Sequence, residues 1–158
     1  MKHARLLFSH PALLAGIGAT LCTLLLTHLD EWQHEVWLMA PFGATMVILF
    51  GLPASPLAQP KNIIIGHLLT TLVGLAVLHT WGLTPLSLSV AVGLAISLML
   101  LTKTTHPPAG ANPLVVMLTA QDWPFLFAPV LTGALLITLS GWLYHKWVSG
   151  QPYPVRQR

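Results

Sequence analysis

Apolar residues run through this chain in long stretches, punctuated by short polar or proline–glycine breaks rather than alternating with charge. Four stretches, about 11–29, 62–81, 86–102 and 124–147, are continuous. Each meets or approaches the ~20 residues an α-helix needs to cross ~30 Å of hydrocarbon. Two shorter stretches, 36–52 and 106–120, are equally apolar but interrupted, the first at Pro41-Phe42-Gly43 and the second at Pro107-Pro108-Ala109-Gly110. Proline lacks an amide donor and disfavours helix in the residue before it, and glycine lets a backbone approach another group closely. The pattern predicts an all-α membrane protein with six membrane segments in a single transmembrane domain, 1–158. The two interrupted segments each hold a short helix, roughly 45–52 and 113–120.

Composition agrees with the pattern. Of the 158 residues, 54% are hydrophobic and 7% charged, with a mean hydropathy of +0.73. A soluble domain carries about 25% charged residues, so this chain cannot cover a globule with charge. The net charge of +3 does not imply nucleic acid, because the basic residues stand singly at segment ends. Cys22, the one cysteine, excludes an intrachain disulfide and reads as a small apolar residue. Lys2 and Arg5 before an apolar run resemble a signal peptide, but the run is long enough to span and ends at Thr27-His28-Leu29-Asp30, so it reads as a retained helix.

Charge also orients the segments. With six crossings starting inside, Lys2, Arg5, Lys61, Lys103, Lys146, Arg156 and Arg158 all fall inside, and Asp30, Glu31, Glu35 and Asp122 outside. This is the positive-inside distribution. Were the interrupted segments re-entrant, Lys61 and Lys103 would lie on opposite sides. The expectation is a multi-pass protein of a bacterial inner membrane with both termini cytoplasmic.

The interrupted segments repeat one another. Pro41-Phe42-Gly43-Ala44-Thr45 aligns with Pro108-Ala109-Gly110-Ala111-Asn112 at a spacing of 67, which also carries Gly66 onto Gly133 and Gly74 onto Gly141. The halves, about 11–81 and 86–147, each hold three segments, an odd number, so they are expected to be inverted relative to each other. Two helix N-termini would then converge near mid-membrane, each with free amides and about half a positive charge that favours a small anion. The plainer reading makes both breaks packing devices.

Candidate site residues follow from this geometry. His106 stands at the entrance of the second break, where an imidazole offers a donor to an anion, takes a proton, or caps a carbonyl. Thr45 and Asn112 hold matched positions, as substrate donors or as helix caps. Pro41, Gly43, Pro107, Pro108 and Gly110 shape the breaks. Gln59, Lys61 and Asn62, with Lys103, mark the cytoplasmic mouth, the lysines either anchoring topology or drawing anions inward. His67 and His79 stand twelve positions apart on one segment and read as buried, hydrogen-bonded or interface-facing residues. No His/Cys cluster has metal-ligand spacing, no cofactor motif occurs, and no nucleophile–base arrangement suggests an enzyme. The small-residue stripe Gly66, Thr70, Gly74 suggests homo-oligomerisation, most simply a dimer.

Three runs also resemble a known family. Ala40-Pro41-Phe42-Gly43-Ala44-Thr45, Ser55-Pro56-Leu57-Ala58-Gln59-Pro60-Lys61-Asn62 and His106-Pro107-Pro108-Ala109-Gly110-Ala111-Asn112-Pro113 resemble the HPP family of integral membrane proteins, in the family's order and over about Leu13 to Trp142. That family is described with four membrane helices, against the six that charge indicates here. Its plastid and cyanobacterial members are implicated in nitrite transport, so the resemblance implies nitrite as the anion. An aquaporin-like channel for small polar solutes and a non-transporting membrane scaffold subunit are the rival expectations.

Overall fold

A computed structural model describes residues 10–33 and 38–155, with the side chains of 30–33 excepted. Lys2, Arg5, Glu35, Arg156 and Arg158, on which part of the charge pattern rests, lie outside the described residues. Among the described residues six α-helices follow in order: α1 (Pro11–Gln33), α2 (Ala40–Gly51), α3 (Pro60–Trp81), α4 (Pro85–Leu101), α5 (Asn112–Leu118) and α6 (Thr132–Tyr144). A 3-10 turn, Pro107–Ala111, runs directly into α5. Helical turns also flank α6 at both ends across Trp123–Ser149, with a kink at Ala128, whose backbone is extended (φ −132°, ψ 120°). All regular structure among the described residues is helical, and three helices, Pro11–Leu29, Pro60–Trp81 and Trp123–Ser149, are long and apolar enough to cross a membrane.

Proline opens these helices instead of breaking them. Pro11, Pro60 and Pro85 are first residues and Pro41 a second, positions where the missing N–H has no intrahelical partner. The expected break at Pro41-Phe42-Gly43 is therefore the first turn of α2, which starts at Ala40 rather than near 45. Likewise Pro107 and Pro108 begin a helical run that lasts to Leu118. α1 also runs past the apolar stretch 11–29, because Asp30–Gln33 contains no breaker and continues the helix. Thr84 opens α4 with a reciprocal cap: its hydroxyl accepts from the Ser87 amide at 3.1 Å, and the Ser87 hydroxyl accepts from the Thr84 amide at 2.9 Å.

The ends of the bundle are chemically distinct. At one end the 53–59 loop, the 102–106 turn and the C-terminal tail meet: Asn62 Nδ2 donates to the Thr105 carbonyl at 2.9 Å, and the Tyr153 hydroxyl donates to the Ala58 carbonyl at 2.9 Å. Burial there pushes the Tyr153 phenol above its ordinary pKa. Lys61, in the first turn of α3, and Lys103 thus share one end. At the other end His79 Nε2 lies 3.1 Å from the Asp122 carboxylate.

Two helix ends adopt the left-handed conformation without glycine. Lys103 (φ 55°) follows α4 and Ala120 (φ 50°) follows α5, and the next amides, Thr104 and Gln121, reach back to the Met99 and Val116 carbonyls at 2.9 Å. This is the geometry in which a helix C-terminus ordinarily places glycine. Ala120→Gly is expected to stabilise the protein by about 1 kcal/mol, raising its thermal midpoint in detergent by roughly 2–4 °C.

Glycines set the closest contacts between the halves, and they do so reciprocally. A Cβ on Gly66 would lie 2.9 Å from His106 Cβ and 3.6 Å from Ala109 Cβ, while one on Gly133 would strike the ring of Phe42. On Gly74 it would lie 3.2 Å from Val116 Cβ, and on Gly141 2.6 Å from Leu49. Gly133, Gly141, Ala109 and Val116 stand 67 positions after Gly66, Gly74, Phe42 and Leu49. Each contact between a glycine of one half and a short helix of the other therefore has its mirror partner. The stripe Gly66, Thr70, Gly74 is buried within the chain and is used in this internal packing, so it carries no argument for an oligomer.

Candidate functional site

The short helical runs Ala40–Gly51 and Pro107–Leu118 are equal in length and match position for position at the 67-residue spacing. They lie side by side and antiparallel. Ala40 and Met39, at the start of α2, share a pocket with Val115 and Thr119 at the far end of the other run. The two N-termini accordingly point to opposite ends of the bundle instead of converging, because the helices overlap along their length. Between them runs an apolar groove of about 690 Å³, lined by Ala40, Pro41, Ala44, Val47 and Ile48 and by Pro107, Pro108, Ala111, Leu114 and Val115. The second five stand 67 positions after the first five.

The sequence-predicted site residues divide between the two faces of this layer. Pro41, Pro107 and Pro108 line the groove. Gly43 and Gly110 have open space where a Cβ would stand, with nothing within 4 Å, so neither serves the close approach expected of it inside the chain. Thr45, His106 and Asn112 turn the other way and are fully buried, each no more than 1% exposed. There they meet His67 of α3, read from the sequence as a buried residue but not as part of the site, and indeed 0% exposed. The Thr45 hydroxyl lies 2.8 Å from His106 Nε2 and 2.9 Å from His67 Nε2. Asn112 Nδ2 lies 3.0 Å from each of His67 Nδ1, the His67 carbonyl and the Thr71 hydroxyl, so its two hydrogens are shared among three acceptors. On the other flank, His106 Nδ1 donates to the Leu57 carbonyl at 2.8 Å. The two imidazoles stand edge to face with centroids 5.0 Å apart, and Phe42 meets His67 at the same distance.

Local sequence explains how these side chains reach each other. Thr45 and Asn112 occupy the same place in the two short helices, so their antiparallel packing brings both toward the middle of the bundle. Gly66 precedes His67 and removes the Cβ that would otherwise hold the 104–109 segment away. His67, Thr70, Thr71 and Gly74 then fall on one helical face of α3, and all four are buried. That face of polar and small residues on an otherwise apolar helix was the signal that could have identified His67.

The residues assigned to the cytoplasmic mouth do not join the cluster. Gln59 is 5% exposed and works as a brace: its Nε2 donates to the Pro53 and Ser55 carbonyls at 3.0 and 2.8 Å, and its Oε1 accepts from the Val155 amide at 2.8 Å. Asn62 ties its loop to Thr105. Lys61 and Lys103 are exposed. Among the described residues no group of three or more His, Cys, Asp or Glu is placed to hold a metal.

Chemically, the cluster is a set of N–H and O–H groups closed on itself, without a carboxylate. No acidic residue occurs between Glu35 and Asp122, the stretch that supplies both imidazoles and the Phe42, Thr45, Leu57 and Asn112 groups in contact with them. A buried imidazolium at this site has no built-in counter-charge.

Comparison with known proteins places the chain. A family profile described as the HPP transmembrane region matches residues 7–154. A transmembrane protein of Dictyostelium discoideum is 35% identical over 147 residues, covering 88% of this chain and 47% of its own length. A second transmembrane protein of the same organism is 40% identical over 126 residues, covering 75% of this chain and 44% of its own length. The chain thus spans a little under half the length of these relatives. No solved structure matches it. Nearly the whole chain is accounted for by one family, and it belongs to the HPP family of transmembrane proteins.

Proposed function

We propose that the chain transports a small inorganic anion, with nitrite the first candidate, through the site built around Thr45, His67, His106 and Asn112. The observation that carries this reading is the buried cluster of nitrogen and hydroxyl donors with no carboxylate among the groups in contact with it. Imidazole, hydroxyl and amide hydrogens are the groups that replace the hydration of a small anion. The reading includes two inverted halves of three segments each, supported by the mirrored glycine contacts and by the groove whose two walls repeat one another. It places Lys61 and Lys103 on the cytoplasmic side of the membrane. It makes the protein a transporter and not an enzyme.

The test is nitrite uptake by purified protein in liposomes. Protein-dependent uptake that saturates with nitrite is expected, with His106→Gln lowering it by about tenfold or more while the protein remains monodisperse. Uptake that rises linearly without saturation indicates a channel. Uptake no greater than in empty vesicles overturns transport of nitrite in favour of a scaffold.

A further inference from the structure

The hydrogen atoms of the cluster can be assigned from its partners. A carbonyl oxygen only accepts, so His106 Nδ1, 2.8 Å from the Leu57 carbonyl, carries a hydrogen. In the neutral ring His106 Nε2 is then an acceptor and takes the Thr45 hydroxyl hydrogen over 2.8 Å. That hydroxyl has one hydrogen, so its other imidazole contact runs the opposite way: His67 Nε2 donates to the Thr45 oxygen over 2.9 Å. His67 Nδ1 is left as an acceptor and receives a hydrogen from Asn112 Nδ2 over 3.0 Å. Donation runs in one direction, from Asn112 through His67, Thr45 and His106 to Leu57.

The same heavy-atom positions accommodate one more proton. The Thr45 oxygen also lies 3.1 Å from the Pro41 carbonyl. When a proton from water adds to the lone pair of His106 Nε2, that nitrogen becomes a donor to the Thr45 oxygen, and the hydroxyl hydrogen turns to the Pro41 carbonyl. Every polar group keeps a partner and no heavy atom moves. What the protonated state lacks is a counter-charge. Apart from the two imidazoles, the ionisable groups on the surrounding elements are Lys61 and His79 at the two ends of α3 and Tyr144 at the end of α6, with Lys103 in the turn that leads to His106. None is a carboxylate. A buried cation without a partner is costly, and the proton and an anion therefore favour each other at this site.

We propose that the His67–Thr45–His106 relay binds one proton together with each monovalent anion, so that the two cross as an electroneutral pair. The proposal rests on the anion-transport reading above. On release, the proton returns from His106 Nε2 to water, the Thr45 hydroxyl hydrogen turns back, and the neutral relay is restored.

The test uses purified protein in liposomes that contain a pH-sensitive dye, with the membrane potential set by potassium and valinomycin and the signal of empty vesicles subtracted. Nitrite uptake is expected to acidify the interior by one proton per nitrite and to be indifferent to the potential. Thr45→Ser, which keeps a hydroxyl, is expected to stay within about threefold of the natural protein, and Thr45→Val to fall by about tenfold or more. Nitrite uptake that follows the potential and leaves the internal pH unchanged overturns the coupling and leaves anion transport standing; uptake no greater than in empty vesicles overturns both. Independently of flux, nitrogen NMR of histidine-labelled protein in bilayers is expected to find His106 protonated at Nδ1 and His67 at Nε2. The reverse assignment overturns the relay.

Discussion

Asn112→Leu is expected to destabilise the protein by about 2 kcal/mol, and adding His67→Phe is expected to recover most of that loss. Leucine removes the amide that meets His67 Nδ1, the His67 carbonyl and the Thr71 hydroxyl. It strands a ring nitrogen of a fully buried side chain without its partner. Leaving one partner of a buried hydrogen bond unsatisfied is what costs most, whereas replacing both by apolar groups of similar shape is close to neutral. A phenyl ring at 67 would keep the edge contact with Phe42 and needs no partner at 112. The double variant separates architecture from chemistry, because it restores packing without restoring a donor. Equilibrium unfolding in mixed micelles gives the stabilities, and nitrite uptake is expected to remain below about a tenth of the natural rate in both variants. A double variant that transports normally would remove His67 from the site.

Gly133→Leu carries the largest expected effect on folding. Its Cβ alone falls on the Phe42 ring, and Phe42 is fully buried against α3 and the rest of the core. Neither the ring nor the α6 backbone has room to yield, so monodisperse protein is expected to be lost in size-exclusion chromatography. Gly66→Ala probes the mirror position more gently. Its new methyl meets the His106 Cβ at 2.9 Å and the Thr104 carbonyl at 3.1 Å, which shifts His106 away from Thr45 before it disrupts the bundle. Folded protein with uptake reduced by about tenfold is expected. Gly93→Leu, on α4 with open space around it, is expected to leave both folding and uptake unchanged. Equal behaviour of all three variants would mean that these close approaches do not govern the site.

Much of this arrangement was legible in the sequence, for reasons that particular residues make plain. The apolar stretches gave the helices, and the proline–glycine runs marked the two short ones. The 67-residue spacing paired Thr45 with Asn112 before either had a known neighbour. The meaning of the prolines was less legible: Pro41 could equally interrupt a helix or open one, and only the extended backbone of Met39 separates the two. The direction in which the short helices pass each other was also hidden, because inversion alone fits both an end-to-end meeting and a side-by-side overlap. His67 was read as buried but not joined to the site, because its partners stand 22, 39 and 45 residues away, beyond any local pattern. The small-residue stripe beside it looked like a surface for another molecule and proved to be the seat of the second half.

That seating has a consequence for how the chain is made. Gly66 and Gly74 pack on residues 104–116, which leave the ribosome some forty residues after α3 begins its passage into the bilayer. Until then α3 holds His67 beside Thr45 alone, and its glycine seats face lipid. Gly133 and Gly141 have no such wait, since Phe42 and Leu49 are already in place when they emerge. The first half is an unfinished surface during synthesis, and the second is received by a prepared one. Membrane insertion should therefore stall, when it stalls, between the third and fifth helices.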